Sequence, residues 1–126
     1  MIMSSIPNKA PQSAYAEVRP GICKFYARIK AEKSEKNAVT IDITGSECKQ
    51  IKRLSGYLRD VSLKDLFLPL TRNPVYIAAE KAGCHSSCII PAAVLKVSEV
   101  ALRMALPSEV RIIIKNEHAG KESNDQ

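Results

Sequence analysis

The 126-residue chain has no tryptophan, only two phenylalanines and only five glycines. With so few large rings, Ile, Val, Leu and Ala must supply the core, as short apolar faces on several helices and strands. Long hydrophobic runs are also missing. No stretch approaches the ~18 apolar residues needed to span a bilayer, and residues 1–7 lack the charged start and apolar stretch of a secretory signal. Four cysteines in a chain large enough to bury its own core do not make the dense framework of a small secreted domain. The expected setting is the reducing cytoplasm, with thiols that are free, metal-bound or redox-active.

What is present is ordinary for a globular domain: 45% apolar and 25% charged residues. A net charge of +6 and a pI near 9.3 raise the question of a polyanion partner, but a surplus alone is weak evidence. Residues 1–17 and 116–126 are polar and lack a sustained hydrophobic period, which predicts flexible tails around one domain over 18–115. His118 falls in the second tail and is expected to be inert.

From Ile22 to Ala31, Cys23, Phe25, Ala27 and Ile29 alternate with Lys24, Tyr26, Arg28 and Lys30, the pattern of a half-buried strand. A polar turn at 33–37 and a second alternation through Val39, Ile41 and Ile43 predict a hairpin. At Gly45-Ser46 the period becomes helical, with Ser46 as N-cap and Cys48, Ile51 and Leu58 on one face. Ser62 caps a short helix through Leu66 or Phe67. Asn73-Pro74 opens a helix that Gly83 stops. Pro91 opens a longer one reaching about Met104, with Ala93, Val94, Val97, Val100, Ala101 and Met104 on one face. Val110, Ile112 and Ile114 alternate with Arg111, Ile113 and Lys115 as a last strand. The order β-β-α-α-α-α-β predicts an α+β fold: a small, mostly antiparallel three-stranded sheet with helices packed on one face.

Chemistry concentrates in Cys48, Cys84, His85 and Cys88. Cys48 and Cys88 lie at or near helix starts, where unpaired N–H groups favour thiolate. Cys84, His85 and Cys88 share a loop held between a glycine stop and a proline start. These four side chains suit a transition metal, zinc or an iron–sulfur cluster, although C-x₃-C is a weaker signature than C-x₂-C and the neighbours Cys84 and His85 strain to reach one ion. The same residues without metal suit a thiol redox or sensor role, with His85 as proton partner to Cys88 and Cys48 as a second thiol. No Gly-rich oxyanion loop supports protease-like catalysis. Cys23 reads more simply as core packing, and Cys48 reads as well either way.

Residues 41–48, Asn73-Pro74-Val75-Tyr76, His85-Ser86-Ser87-Cys88, Pro91 to Lys96, Glu99-Val100 and Ala105-Leu106-Pro107 carry a resemblance. The chain resembles a domain-of-unknown-function family of small uncharacterised proteins from methanogenic archaea and other anaerobes. That family has S-x-C at the strand-to-helix junction and H-x-x-C-P-x-P before the long helix; this chain departs from it with Ile89 in place of proline. The resemblance implies no established activity, but it implies that Cys48, His85 and Cys88 form a shared trio. The leading expectation is therefore metal binding by that trio, with Cys84 as an optional ligand. It requires two helix starts some forty residues apart to meet in one pocket.

Two further readings use the sheet. Lys24, Tyr26, Arg28 and Lys30, with Arg111 and Lys115, would make a basic face for single-stranded nucleic acid, although antiparallel sheets often leave one face simply solvated. Alternatively, that face makes a homodimer interface anchored by Tyr26 and Ile113.

Overall fold

The computed structural model of the protein describes residues 13–21, 25–34 and 36–117. Cys23, Lys24 and His118 lie outside the described residues. The elements are β1 (Ser13–Val18), β2 (Ala27–Lys33), β3 (Ala38–Thr44), α1 (Lys49–Tyr57), β4 (Asp60–Ser62), α2 (Pro74–Ala82) and α3 (Ile90–Ala101), with short 3₁₀ turns at Lys64–Phe67 and Leu70–Arg72.

The fold is α+β, with one antiparallel sheet in the order β1-β2-β3-β4. It has four strands, not the expected three. The additional β1 lies in the segment read as polar and aperiodic, because its inward residues Ala14 and Ala16 are too small to mark a hydrophobic face. The additional β4 is only three residues long, too short to show a period. The expected last strand is not part of the sheet: residues 110–114 take no strand partner, and Val110, Ile112, Ile113 and Ile114 are exposed. Alternation describes a residue's fit to a pleated surface, and a strand also needs a neighbouring backbone to pair with.

From Ala27 onward side chains alternate as predicted for β2 and β3, but Phe25, expected on the inner face, lies before β2 and is exposed. Ala27, Ile29, Ala31, Val39, Ile41 and Ile43 point into the core, while Arg28, Lys30, Thr40 and Asp42 point out. Register carries the pattern into β1, where Ala14, Ala16 and Val18 stand opposite Ala31, Ile29 and Ala27. This alanine-rich patch lets α3 lie close across β1 and β2. Val94, Val97 and Ala101 fill the contact, and the buried Ser98 hydroxyl is satisfied by donating to the Val94 carbonyl at 2.8 Å. Complete burial of a side chain such as Ile29 contributes about 2–3 kcal/mol.

Helix ends follow local chemistry. Ser62 and Asp65 cap each other reciprocally: the Ser62 N–H donates to the Asp65 carboxylate, and the Asp65 N–H to the Ser62 hydroxyl. Asn73 accepts from the Val75 N–H at 2.9 Å and donates its amide to the Asp65 carbonyl, so this buried side chain is satisfied on both sides. α3 stops at Ala101, one turn earlier than expected, because Arg103 adopts φ +64° and the Met104 N–H turns back to the Glu99 carbonyl.

Candidate functional site

The loop between α2 and α3 is built from two consecutive hydrogen-bonded turns. Gly83, at φ +80°, ends α2 in the left-handed region, its N–H bonded to the Glu80 carbonyl. The Cys84 N–H reaches the Ala79 carbonyl at 3.0 Å, completing a Schellman closure. In that motif the residue after the left-handed one folds back on the helix, and Cys84 accordingly packs half-buried against the core. The Cys88 N–H then bonds to the His85 carbonyl at 3.0 Å, so residues 85–88 form a tight turn that carries Cys88 back toward Cys84. α3 begins two residues later.

The Cys88 side chain lies close enough to the Cys84 thiol to act on its ionisation. The Cys84 thiol is pushed up from 9.0 to about 11, first by burial, then by the neighbouring Cys88 and Cys48 sulfurs, with the Arg53 guanidinium partly opposing. Cys84 is therefore a thiol, not a thiolate, at neutral pH, and Cys48 and Cys88 are both within its electrostatic reach.

Cys48 arrives from the other side of the chain. Gly45, at φ +82°, turns the backbone out of β3, and the Ser46 hydroxyl accepts from the Cys48 N–H at 3.1 Å. The N-cap of α1 is Cys48 itself, not Ser46 as expected: its carbonyl takes the first helical bond, from Lys52, and Ser46 shapes the turn before it. The Cys48 thiol donates to Gln50 Oε1 at 3.2 Å.

The structure therefore brings Cys48, Cys84 and Cys88 into one neighbourhood. His85 is exposed, at the rim of an open cavity of about 340 Å³ lined by Tyr76, Ala79, Glu80, Cys84, His85, Ser86, Cys88 and Pro91. Cys48 is not in that lining. Among the described residues, no three His, Cys, Asp or Glu side chains stand in a metal-holding arrangement.

Arg53, on α1, is a further residue of this site. In the fold its Nε donates to the Ala82 carbonyl at 3.0 Å, and it is the cation nearest in effect to Cys84. No local pattern marks this role, because it depends on α1 packing against α2.

The sheet's outer face is less basic than the sequence suggested. Arg28 pairs with Glu17 at 3.1 Å and Lys30 with Glu32 at 4.0 Å. Acids on β1 and β2 interleave with the cations, and Arg28 also lies over the Tyr15 ring.

Together these features define a four-stranded α+β domain with a half-buried thiol cluster at a helix-to-helix loop. The chain belongs to the DUF6951 family, a family of unknown function, whose profile matches residues 14–114. No curated protein and no solved structure matches it. Among the described residues, no helix is long and apolar enough to cross a membrane.

Proposed function

We propose that this domain works through its thiols, with Cys84 and Cys88 as a reversible dithiol–disulfide pair and Cys48 as a neighbouring third thiol. The supporting observation is the pair of backbone turns that brings Cys88 back beside Cys84, both lining an open cavity. Cys84, pushed up to about 11 first by burial, holds its proton at neutral pH. Cys88 is then the attacking sulfur, and the nearby start of α3 adds partial positive charge. In the balanced step, Cys88 thiolate attacks a low-molecular-weight disulfide and displaces one thiolate. Cys84 loses its proton and attacks the mixed disulfide at Cys88, releasing the second thiol. Two protein thiols are oxidised and one external disulfide is reduced to two thiols. In this reading His85, which lines the same cavity, is the proton partner of the leaving groups.

The test is equilibration in glutathione redox buffers followed by peptide mapping. A Cys84–Cys88 disulfide that forms reversibly, and is abolished by Cys88→Ser, is the expected result. Thiols that remain reduced across the whole range, or that couple only between molecules, would refute this reading.

A second reading is supported by the electrostatic influence of both Cys48 and Cys88 on Cys84: a transition metal, zinc or an iron–sulfur cluster, held by Cys48, Cys84 and Cys88 with His85 as a further ligand. The neighbouring sulfurs raise the cost of ionising Cys84, and a bound cation would reverse that cost. The side chains would have to rotate into a ligating arrangement. Anaerobic purification with elemental analysis and a visible spectrum separates the two readings. Stoichiometric zinc, or iron with sulfide absorption, lost in Cys88→Ser, supports metal binding.

A further inference from the structure

Residues 110–115 are an anomaly in the fold. They have the alternation and β-branched composition of a strand, yet Val110, Ile112, Ile113 and Ile114 are 59%, 66%, 67% and 88% exposed. The segment is not an appendage to the family domain, since the family match runs to residue 114. Four exposed β-branched residues in six positions are a liability in a chain that remains alone.

The sheet has a matching vacancy. β1 is an edge strand, paired on one side with β2 and with no partner among the described residues on the other. It is six residues long, as the segment is. The opposite edge, β4, is only three residues long and carries the Asp60 carboxylate.

Pairing the two six-residue stretches antiparallel gives a register with complementary side chains on both faces. On the core face, Val110 stands opposite Val18, Ile112 opposite Ala16 and Ile114 opposite Ala14. Large residues from the segment thus meet half-buried alanines on β1. On the outer face, Arg111 stands opposite Glu17, Ile113 opposite the exposed Tyr15 and Lys115 opposite Ser13. Opposite charges and aromatic–β-branched neighbours are the favourable cross-strand pairs. Arg111 and Glu17 now make exposed ion pairs with Glu109 and Arg28, at 3.1 Å each, so both charges can be redistributed cheaply. A parallel arrangement in the same frame sets Ile113 against Glu17 and Arg111 against Tyr15, losing the ion pair.

We propose that residues 110–115 of one copy add as a fifth, antiparallel strand to the β1 edge of a second copy, and that the exchange is reciprocal, giving a symmetric homodimer. The segment follows the turn that ends α3, made by the left-handed Arg103 and the Met104–Glu99 hydrogen bond, and the chain beyond is exposed. The partner is a second copy because the complementary edge and the complementary strand belong to the same chain and, among the described residues, are not paired within it.

The test is light scattering and amide hydrogen exchange on the full chain in reductant, so that disulfides cannot hold copies together. The expected result is twice the 13.8 kDa mass of one chain, with amides of 110–115 protected. Ile112→Asp, at a position exposed in the single chain, should leave the circular dichroism unchanged and weaken association by about a hundredfold. Glu17→Arg and Arg111→Glu should each weaken association, and the two together should restore it. A monomeric wild type overturns the proposal, whether its 110–115 amides are open or protected on its own edge. So does a dimer indifferent to Ile112→Asp, or a charge exchange that restores nothing.

Discussion

α2 and α3 end in the same motif, with opposite consequences. Each closes with a left-handed residue and a backbone hydrogen bond back across the last turn, from Cys84 to Ala79 and from Met104 to Glu99. After α2 the left-handed residue is Gly83, and the next side chain, Cys84, returns to the core. After α3 it is Arg103, and the next side chain, Met104, is half-exposed at the start of a segment that stays exposed. The polar-looking loop thus returns a side chain to the core, and the apolar-looking segment stays solvated. Local hydrogen bonding turns the chain, but what the turned chain meets decides burial.

The largest expected difference lies between the two sides of this comparison. Ile90, at the start of α3, is 1% exposed, and Ile90→Ala should cost about 3 kcal/mol by removing buried methyl groups and leaving a cavity. Ile114, at 88% exposed, should tolerate the same change within about 0.5 kcal/mol in dilute solution, where no partner covers it. Urea unfolding of both variants below the association range measures the contrast. Equal costs would mean that residue 114 is packed within one chain.

The second contrast tests the closures themselves. Gly83→Ala should cost about 1–2 kcal/mol, because φ +80° is strained for any residue with a Cβ. Space is not the reason, since the nearest atom, on Arg53, would lie at 3.5 Å, an ordinary contact. Arg103→Gly relieves the same strain and should be neutral or stabilise by up to about 0.5 kcal/mol, the extra freedom of glycine in the unfolded chain offsetting part of the gain. Thermal midpoints of the two variants check both signs.

Where the chain carried strong local chemistry, the sequence was legible. Asn73-Pro74 and Gly83 fixed α2 to the residue, and the outward and inward faces of β2 and β3 followed from alternation. β1 was hidden because alanines fill its inward positions, and 110–114 misled because strand propensity does not supply a partner. The grouping of Cys84 with Cys88 was legible from spacing. The approach of Cys48 depended on the turn at Gly45 and Ser46, and that of Arg53 on helix packing; neither is a local property.

The last contrast concerns the thiol that α2's closure half-buries. Cys84 has a folded-state pKa raised to about 11 from 9.0, so it holds its proton more tightly folded than unfolded. Its contribution to stability is therefore complete below pH 9 and is lost as pH rises through about 11. The thiol is only half-buried, so solvent screening reduces the effect to on the order of 1 kcal/mol. Tyrosines and lysines titrate in the same window, so the measurement is the difference between wild type and Cys84→Ser in urea midpoint across pH 8–11. The serine variant has no such titration, and its curve should fall less steeply by that amount. Parallel curves would show that Cys84 ionises as readily folded as unfolded, removing the electrostatic basis for treating it as the protonated partner of Cys88.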